Sequence, residues 1–372
     1  MKVFLLYPYF FSPDGSEKKV GGVETYIESL VEVISNVGLT PVVCQFSKET
    51  FEREYLGYMV YGYKVQSIKQ LYKQVEPNIN KREDLVLFAS DLWAIKLNNV
   101  KTLSVQHGIY WDIPRNKGPY ILYYIQRIKQ VLTALRDFNK TRYSVCVDYN
   151  FYNWYKTFNV KAKSKRHWIV PNFAQQTLTR TELEEKVLSR SKARAIKVMF
   201  ARRFYEFRGC VIFAEAMLRI LEEYDNVSVT FAGEGPYENY IRDNFTKFGE
   251  RFSVIRYLPQ ESFTIHKDYD IAVVPTTGSE GTSLSLLEAM GAGCVVVSTP
   301  VGGLSNIVLD EYNGYISMPK SDDLYKAIKK AIDNIDNTQI IRNAVECVEK
   351  SFSKAKWFMA WENILRDIIS EQ

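Results

Sequence analysis

A strand that runs straight into a glycine turn and then a helix constrains this chain more than any other stretch. Ile271-Ala-Val-Val-Pro275 is apolar throughout, as a strand covered on both faces of a parallel sheet must be. The small polar turn Ser279–Ser283 follows, then the helix-forming residues Ser285–Ala292, then a second apolar strand, Val295–Ser298. Parallel neighbours need such a crossover, so the segment specifies an α/β layer structure. The same turn carries Glu280 and Glu288, eight residues apart across the start of the helix. The exposed amides and positive dipole end of that helix attract a phosphate. Glu288 lies about a turn and a half further in, where it reaches neutral hydroxyls. An anion and hydroxyls together suit a nucleotide diphosphate sugar, whereas a solvated helix glutamate after a chance loop leaves their agreement unexplained.

Alternation of the same kind runs through the chain. Val3–Tyr7, a glycine loop at Gly15–Gly22, a helix over Glu24–Asn36 and Thr40–Phe46 read as a βαβ unit. Leu85–Ala89, Thr102–Gln106, Ser144–Val147 and His167–Val170 continue the strands, and Pro171-Asn172-Phe173 closes the series. The polar stretch Gln175–Arg194 is expected to be a linker. A second series holds strands at Lys197–Ala201, Ser228–Ala232, Phe252–Arg256, Ile271–Pro275, Val295–Ser298 and Gly314–Ile316, with a helix over Val211–Glu223. Two Rossmann-like domains with parallel sheets follow, spanning 1–173 and 174–354, and a ligand cleft is expected at the carboxyl ends of their strands. Residues 355–372 form a last helix, with Trp357, Phe358, Trp361, Ile364 and Ile368 at helical spacing on one buried face.

Composition fits this organisation. At 372 residues the chain exceeds one ordinary core. The net charge of +5 favours anionic partners only mildly, and no basic block with interleaved aromatics points to nucleic acid. The five cysteines, at 44, 146, 210, 294 and 347, form no CxxC pair and read as buried thiols in a reducing, cytoplasmic setting. The apolar opening is interrupted by Pro8 and reads as a first strand; no run approaches the ~20 residues of a membrane span.

Arg202 follows the strand Lys197–Ala201, and Arg208 comes six residues later in the ensuing loop, so both can converge on one anion. Gly21 and Gly22 admit close backbone approach. His107 ends an apolar strand beside Gly108 and is one of three histidines. Each has a bland alternative: surface arginines, a tight turn, a satisfied core histidine.

With these residues laid out, the chain resembles the retaining glycosyltransferases of family 4, which have the GT-B fold of two facing Rossmann domains. The resemblance rests on Gly21-Gly22-Val-Glu24, Gln106-His107-Gly108, Ala201-Arg202 through Arg208-Gly209, Ala232-Gly-Glu-Gly-Pro236 and Glu280 to Glu288, in that order. It implies that His107, Arg202, Arg208 and Glu280 form the catalytic set. Arg202 and Arg208 clamp the leaving diphosphate, Glu280 contacts hydroxyls of the transferred sugar, and Glu288 holds the ribose. Gly21, Gly22, Gly233, Thr282, Ser283 and Leu284 complete the donor site, and Tyr257-Leu258 meets the nucleobase through backbone atoms. The resemblance also implies front-face transfer with retention, a UDP-sugar donor or GDP-mannose, and a carbohydrate or lipid-linked acceptor in surface polysaccharide or glycolipid assembly. The last helix is then expected to cross back to the first domain. One departure is Arg208, where the family usually has lysine; a guanidinium still binds phosphate oxygens, in a forked geometry.

No cofactor is expected, and no metal: Asp268 and Asp270 have DxD spacing, but Asp270 opens a buried strand and suits capping. Tyr120–Arg136 places Ile121, Tyr124, Ile125, Ile128, Val131, Leu132 and Leu135 on one helical face. The leading reading is an ordinary domain helix with that face in the core; the second is an interfacial helix that seats the protein on the inner face of a membrane. Two functional rivals share the fold, a nucleotide-sugar epimerase and a non-catalytic sugar-nucleotide-binding subunit. The acceptor-side loop 108–120 carries no readable code.

Overall fold

The computed structural model describes residues 1–19, 21–112, 119–158, 166–190 and 195–371. The loop 108–120 and the end of the expected linker, 191–194, therefore lie partly outside the described residues. The described chain divides into two compact units, the first running to Val170 and regaining the chain from Phe358, the second centred on 171–357.

In the first unit the elements are β1 (Lys2–Leu6), α1 (Gly22–Asn36), β2 (Thr40–Phe46), β3 (Phe51–Tyr55), β4 (Tyr58–Tyr63), α2 (Ile68–Val75), β5 (Leu85–Phe88), β6 (Lys101–Gln106), α3 (Tyr120–Phe138), β7 (Tyr143–Cys146), α4 (Tyr149–Phe158) and β8 (Arg166–Ile169). The sheet order is β3-β4-β2-β1-β5-β6-β7-β8. Central β1 pairs in parallel with β2 and β5, Leu5 facing Val43 on one side and Leu87 on the other, all fully buried. One strand departs from the expected parallel sheet: β3 runs antiparallel to β4 at the edge. Its hairpin turns on Leu56 and Gly57, both at positive φ, the two-residue geometry that matches strand twist.

The second unit contains α5 (Arg180–Arg190), β9 (Ile196–Ala201), α6 (Cys210–Glu223), β10 (Val227–Ala232), α7 (Glu238–Phe245), β11 (Phe252–Ile255), α8 (Ser262–Lys267), β12 (Ile271–Val274), α9 (Leu284–Gly291), β13 (Val295–Ser298), β14 (Tyr315–Ile316), α10 (Ser321–Asp333) and α11 (Thr338–Ser351). Its six strands are parallel in the order β11-β10-β9-β12-β13-β14. The aromatic set Phe200, Phe204, Phe213 and Phe231 fills the space between sheet and helices.

Two expectations fail for physical reasons. The stretch Gln175–Arg194 is not merely a linker, because α5 occupies much of it. Thr179 and Glu182 cap its start, Glu182 Oε2 accepting from the Thr179 amide and hydroxyl, each at 2.8 Å. At the other end buried Arg190 donates to the carbonyls of Asp270 (2.6 Å) and Gly293 (3.1 Å), which ties α5 to β12. The apolar face of α3 is not in the core either. Only Ala134, Asp137 and Phe138 of this helix are buried, while Ile121, Tyr124, Ile125, Ile128 and Leu132 are each more than half exposed.

The last helix, α12 (Lys354–Ser370), follows the expected pattern: Trp357, Trp361, Ile364 and Ile368 are buried. Within the first unit Trp361 Nε1 donates to Tyr26 Oη at 3.1 Å, and Lys101 Nζ donates to the carbonyl of Ile368 at 2.9 Å. Among the described residues no helix is long and apolar enough to cross a membrane.

Candidate active site

The loops at the carboxyl ends of β9, β12 and β13 build a compact charged site in the second unit. Arg202 follows β9, Arg208 sits at the end of the next loop, and Glu280 lies in the turn between β12 and α9. The two arginines meet on one carboxylate oxygen: Glu280 Oε2 accepts from Arg202 Nη2 and from Arg208 Nη1, each at 2.5 Å. Thr276 completes the cluster, accepting from Arg202 Nη1 at 2.6 Å and donating to Glu280 Oε2 at 3.2 Å. Side-chain exposures of 7% for Arg202, 19% for Arg208 and 9% for Glu280 mean that water screens the cluster little. Burial alone would push the Glu280 carboxyl up. The two guanidinium charges and the Arg202 and Thr276 hydrogen bonds outweigh it and hold the group below its ordinary value. The cluster carries one surplus positive charge.

The backbone around this cluster is close-packed. Gly302 has φ +54°, and a Cβ there would lie 2.0 Å from the Glu280 carbonyl oxygen. The adjacent Gly303 amide donates to that oxygen at 3.1 Å, so this glycine pair clasps the Glu280 turn. Gly233, at φ +154°, packs against Arg202, whose carbonyl oxygen would be 2.3 Å from an added Cβ. Its role in this structure is to let the β9 and β10 loops touch.

Glu288 occupies a different environment. It lies on the second turn of α9, partly buried, and its Oε2 accepts from Ser262 Oγ at 2.7 Å. No cation among the described residues pairs with it, so burial outweighs the Ser262 hydrogen bond and pushes its carboxyl up to about 7. The same pocket raises the Tyr257 hydroxyl to about 12, through burial and the nearby Glu288. His266 packs edge-on to Tyr257, its ring centroid 6.5 Å away, and burial lowers it to about 4. Glu288 Oε1 has no hydrogen bond among the described residues and remains open as an acceptor. Leu258 is only partly available for a backbone contact, because its amide donates to Glu261 Oε2 at 2.7 Å. The Tyr257 main chain, by contrast, makes no hydrogen bond among the described residues.

Thr282 and Ser283 are buried at the start of α9, and Leu284 is its first residue. The Thr282 carbonyl accepts from Asn172 Nδ2 at 2.8 Å. Ser283 makes no side-chain cap, so the first amides of α9 keep the unpaired donors of every helix start. Asp270 acts as a brace: its Oδ2 accepts the Lys197 amide at 2.8 Å across the sheet.

In the first unit, His107 ends β6. Its Nε2 donates to the Ala89 carbonyl at 2.7 Å, which fixes the tautomer and leaves Nδ1 as the acceptor. Burial lowers its pKa, so the ring is neutral, and it stacks edge-to-face on Tyr26 at 5.2 Å. Gly21 and Gly22 open α1, but not as an empty phosphate cradle. A Cβ at Gly21 would stand 2.2 Å from Glu24 Oε2, so the helix start already faces a carboxylate. Glu24 also accepts weakly from Tyr7 Oη at 3.4 Å.

The structure thus brings Arg202, Arg208, Glu280 and Gly233 together, and Glu288 with Tyr257. The Glu280 carboxylate, expected to contact hydroxyls of the transferred sugar, is engaged by the arginine pair in this structure. Sequence reasoning missed Thr276 and Ser262. Thr276 directly follows Pro275 at the end of β12 and was legible as a strand-end hydroxyl; Ser262 is brought to Glu288 only by the tertiary fold.

Comparison with known proteins agrees with this architecture. Residues 195–334 match the family described as glycosyl transferases group 1. An uncharacterized glycosyltransferase of Methanocaldococcus jannaschii is 29% identical over 46% of this chain and 43% of its own length. The lipopolysaccharide 1,2-N-acetylglucosaminetransferase of Salmonella typhimurium is 24% identical over 53% of each chain. The chain spans about half the length of the curated relatives it matches. Among solved structures, sucrose-phosphate synthase from Thermosynechococcus elongatus superposes with TM-score 0.75 at 13% identity over the full length of both chains. The Anabaena protein HepE in complex with UDP-glucose gives 0.71 at 14% identity, covering 99% of this chain and 100% of its own. The fold is GT-B.

Proposed function

With a glycosyl transferases group 1 domain in residues 195–334, we propose that the protein is a retaining glycosyltransferase. It moves a hexosyl group from a nucleotide diphosphate sugar to an acceptor hydroxyl. The observation that carries this reading is the convergence of Arg202 and Arg208 on one anion at the carboxyl end of a parallel sheet. As the anomeric bond breaks, negative charge grows on the leaving diphosphate, and preorganised guanidinium groups stabilise it without reorganising. Before the donor binds, the Glu280 carboxylate stands in for that anion. Donor binding hands the arginines to the diphosphate and frees Glu280 to accept from the sugar hydroxyls. Glu288 Oε1 receives the ribose, and Tyr257 meets the base through its main chain. The role proposed for His107, a neutral ring at the end of β6, is contact with the transferred sugar. A UDP-sugar is favoured by the HepE likeness, whose partner is UDP-glucose, with GDP-mannose the second donor class.

The positive charge that such chemistry needs comes from the arginines, so transfer proceeds without a metal ion. The acceptor is a carbohydrate or lipid-linked glycan of bacterial surface polysaccharide or glycolipid assembly, in keeping with the Salmonella relative. Helix α3 supports a seat on the cytoplasmic face of the membrane. Its exposed apolar stripe is flanked in sequence by Arg127, Lys129 and Arg136, the composition of an interfacial helix.

The test is incubation with UDP-glucose, UDP-N-acetylglucosamine and GDP-mannose in EDTA, following free nucleoside diphosphate and the anomeric configuration of any product by NMR. Slow release from one donor, accelerated by a glycan acceptor and giving a retained anomer, is expected. Binding without turnover under every condition would mark a non-catalytic binder, and an interconverted sugar nucleotide an epimerase.

A further inference from the structure

The first unit carries a pocket of about 850 Å³ that the donor reading leaves unused. It lies beyond the carboxyl ends of β1, β2 and β4. Tyr9 follows β1, Phe46 and Lys48 end and follow β2, and Lys64 follows β4; Gln70 and Lys73 come from the outer face of α2. That is the edge at which open α/β sheets take ligands. The volume suits a mono- or disaccharide.

Two properties define what fits. The first is an aromatic wall. Tyr9 and Phe46 of the lining meet edge-to-face at 6.0 Å with Tyr9 substantially exposed, while Trp93, outside the lining, meets Phe46 at 6.2 Å. The exposed amphipathic ring of Tyr9, backed by the buried Phe46, can pack against the apolar face of a sugar while leaving hydroxyls to polar neighbours. The second is charge. Lys48, Lys64 and Lys73 line the pocket, no carboxylate does, and none of the three has an ion pair among the described residues. Three ammonium groups sharing one concavity repel one another and gain from an anion between them.

The wall is held in place from behind. Gln45, fully buried in β2, accepts from the Phe11 amide at 2.5 Å through Oε1 and donates to the Phe46 and Phe11 carbonyls at 3.0 and 3.3 Å through Nε2. The Lys48 amide donates to the Pro13 carbonyl at 2.7 Å and the Ser47 amide to the Tyr63 carbonyl at 2.8 Å. A polar side chain costs free energy in a strand core unless its bonds are made. Here they pin the loop carrying Tyr9 against the end of β2.

From this geometry we infer that the pocket binds the acceptor and that the acceptor is an anionic saccharide, bearing a carboxylate or a phosphate beside its sugar ring. The inference deepens the transferase reading and rests on it for the word acceptor; the binding itself is measured without any donor.

The experiment is ligand-observed NMR and calorimetry on the full chain, with a glucuronate-containing disaccharide, glucose 6-phosphate and maltose as probes. At least one anionic probe is expected to bind tenfold or more tightly than maltose, and to weaken as NaCl rises from 50 to 500 mM. The relative strength of the two anions tells a uronate acceptor from a phosphorylated one. In Lys48→Gln/Lys64→Gln/Lys73→Gln the preference over maltose should vanish while maltose binding persists, which also shows that the variant folds. Should it not fold, Lys64→Gln alone and the salt series on the wild type carry the same test. Equal affinity for all three probes, no binding by any, or an undiminished anion preference in the lysine variants would overturn the inference. Absence of nucleotide release in the donor assay bears on the transferase reading alone and leaves the binding result standing.

Discussion

Glu280 and Glu288 lie eight residues apart yet end in opposite electrostatic states. Two guanidinium groups hold Glu280 ionised, whereas burial beside a hydroxyl raises Glu288 to about 7. The Glu288 shift has a measurable sign. Between its ordinary value and about 7 the folded protein keeps a proton that the unfolded chain has released. Stability therefore falls as pH rises through that window, by at most about 1.4 kcal/mol per pH unit. Chemical denaturation from pH 4.5 to 7.5 should show this slope in the wild type and lose it in Glu288→Gln; equal slopes would mean that Glu288 titrates normally. Donor affinity should rise over the same range, because the ionised carboxylate is the stronger acceptor for ribose hydroxyls. At this scale part was legible: the spacing of Arg202 and Arg208 after one strand said that they can converge on one anion, as they do on the Glu280 carboxylate. The engagement of Glu280 by both arginines was not, since it depends on side-chain directions that spacing does not encode.

At the scale of elements, the two surprises are α5 and α3. The few large apolar residues of 175–194 suggested a linker, but Thr179-Arg-Thr-Glu182 is a capping box, a local signal that outweighs low hydrophobicity. Arg190 then secures the helix by bonding the Gly293 carbonyl of the α9–β13 turn and by giving the Asp270 carbonyl a second donor beside the Val295 amide. Arg190→Met should cost about 3 kcal/mol and lower the melting temperature by several degrees, because it leaves those carbonyls and Asp270 without their cation; an unchanged melting curve would count against this role. The periodicity of α3 was plain in the sequence, but periodicity does not say which side faces protein. Ile125→Glu/Ile128→Glu changes exposed positions and should leave stability within about 0.5 kcal/mol. If α3 seats on lipid, the same variant loses cosedimentation with vesicles of phosphatidylglycerol and phosphatidylethanolamine. Wild-type protein that ignores such vesicles would refute the membrane seat. The β3–β4 hairpin was missed because its turn, Leu56-Gly57, lacks the Asn or Asp that usually marks one.

For the molecule as a whole, the chain is not two successive beads. The first unit takes back the end of the sequence, and Trp361, fully buried and bonded to Tyr26, belongs to its core. Truncation after Ser351 should therefore destabilise the first unit, although the rest of that unit ends in sequence at Val170, far from the cut. Trp361→Ala alone should cost about 3 to 5 kcal/mol, seen as an earlier denaturation midpoint. The alternation of strands and helices made the two Rossmann-like units readable without a structure, since parallel sheets impose that rhythm. The most direct test of the central claim is calorimetric titration of UDP into wild type, Arg202→Met/Arg208→Met and Glu280→Gln. The arginine pair should supply at least about 3 kcal/mol through charge-assisted bonds, so its double variant should bind UDP roughly a hundredfold or more weakly. Glu280→Gln, freed of the competing carboxylate, should bind UDP at least as tightly as wild type. Wild-type affinity in the arginine variant, or a collapse of UDP binding in Glu280→Gln, would contradict the account.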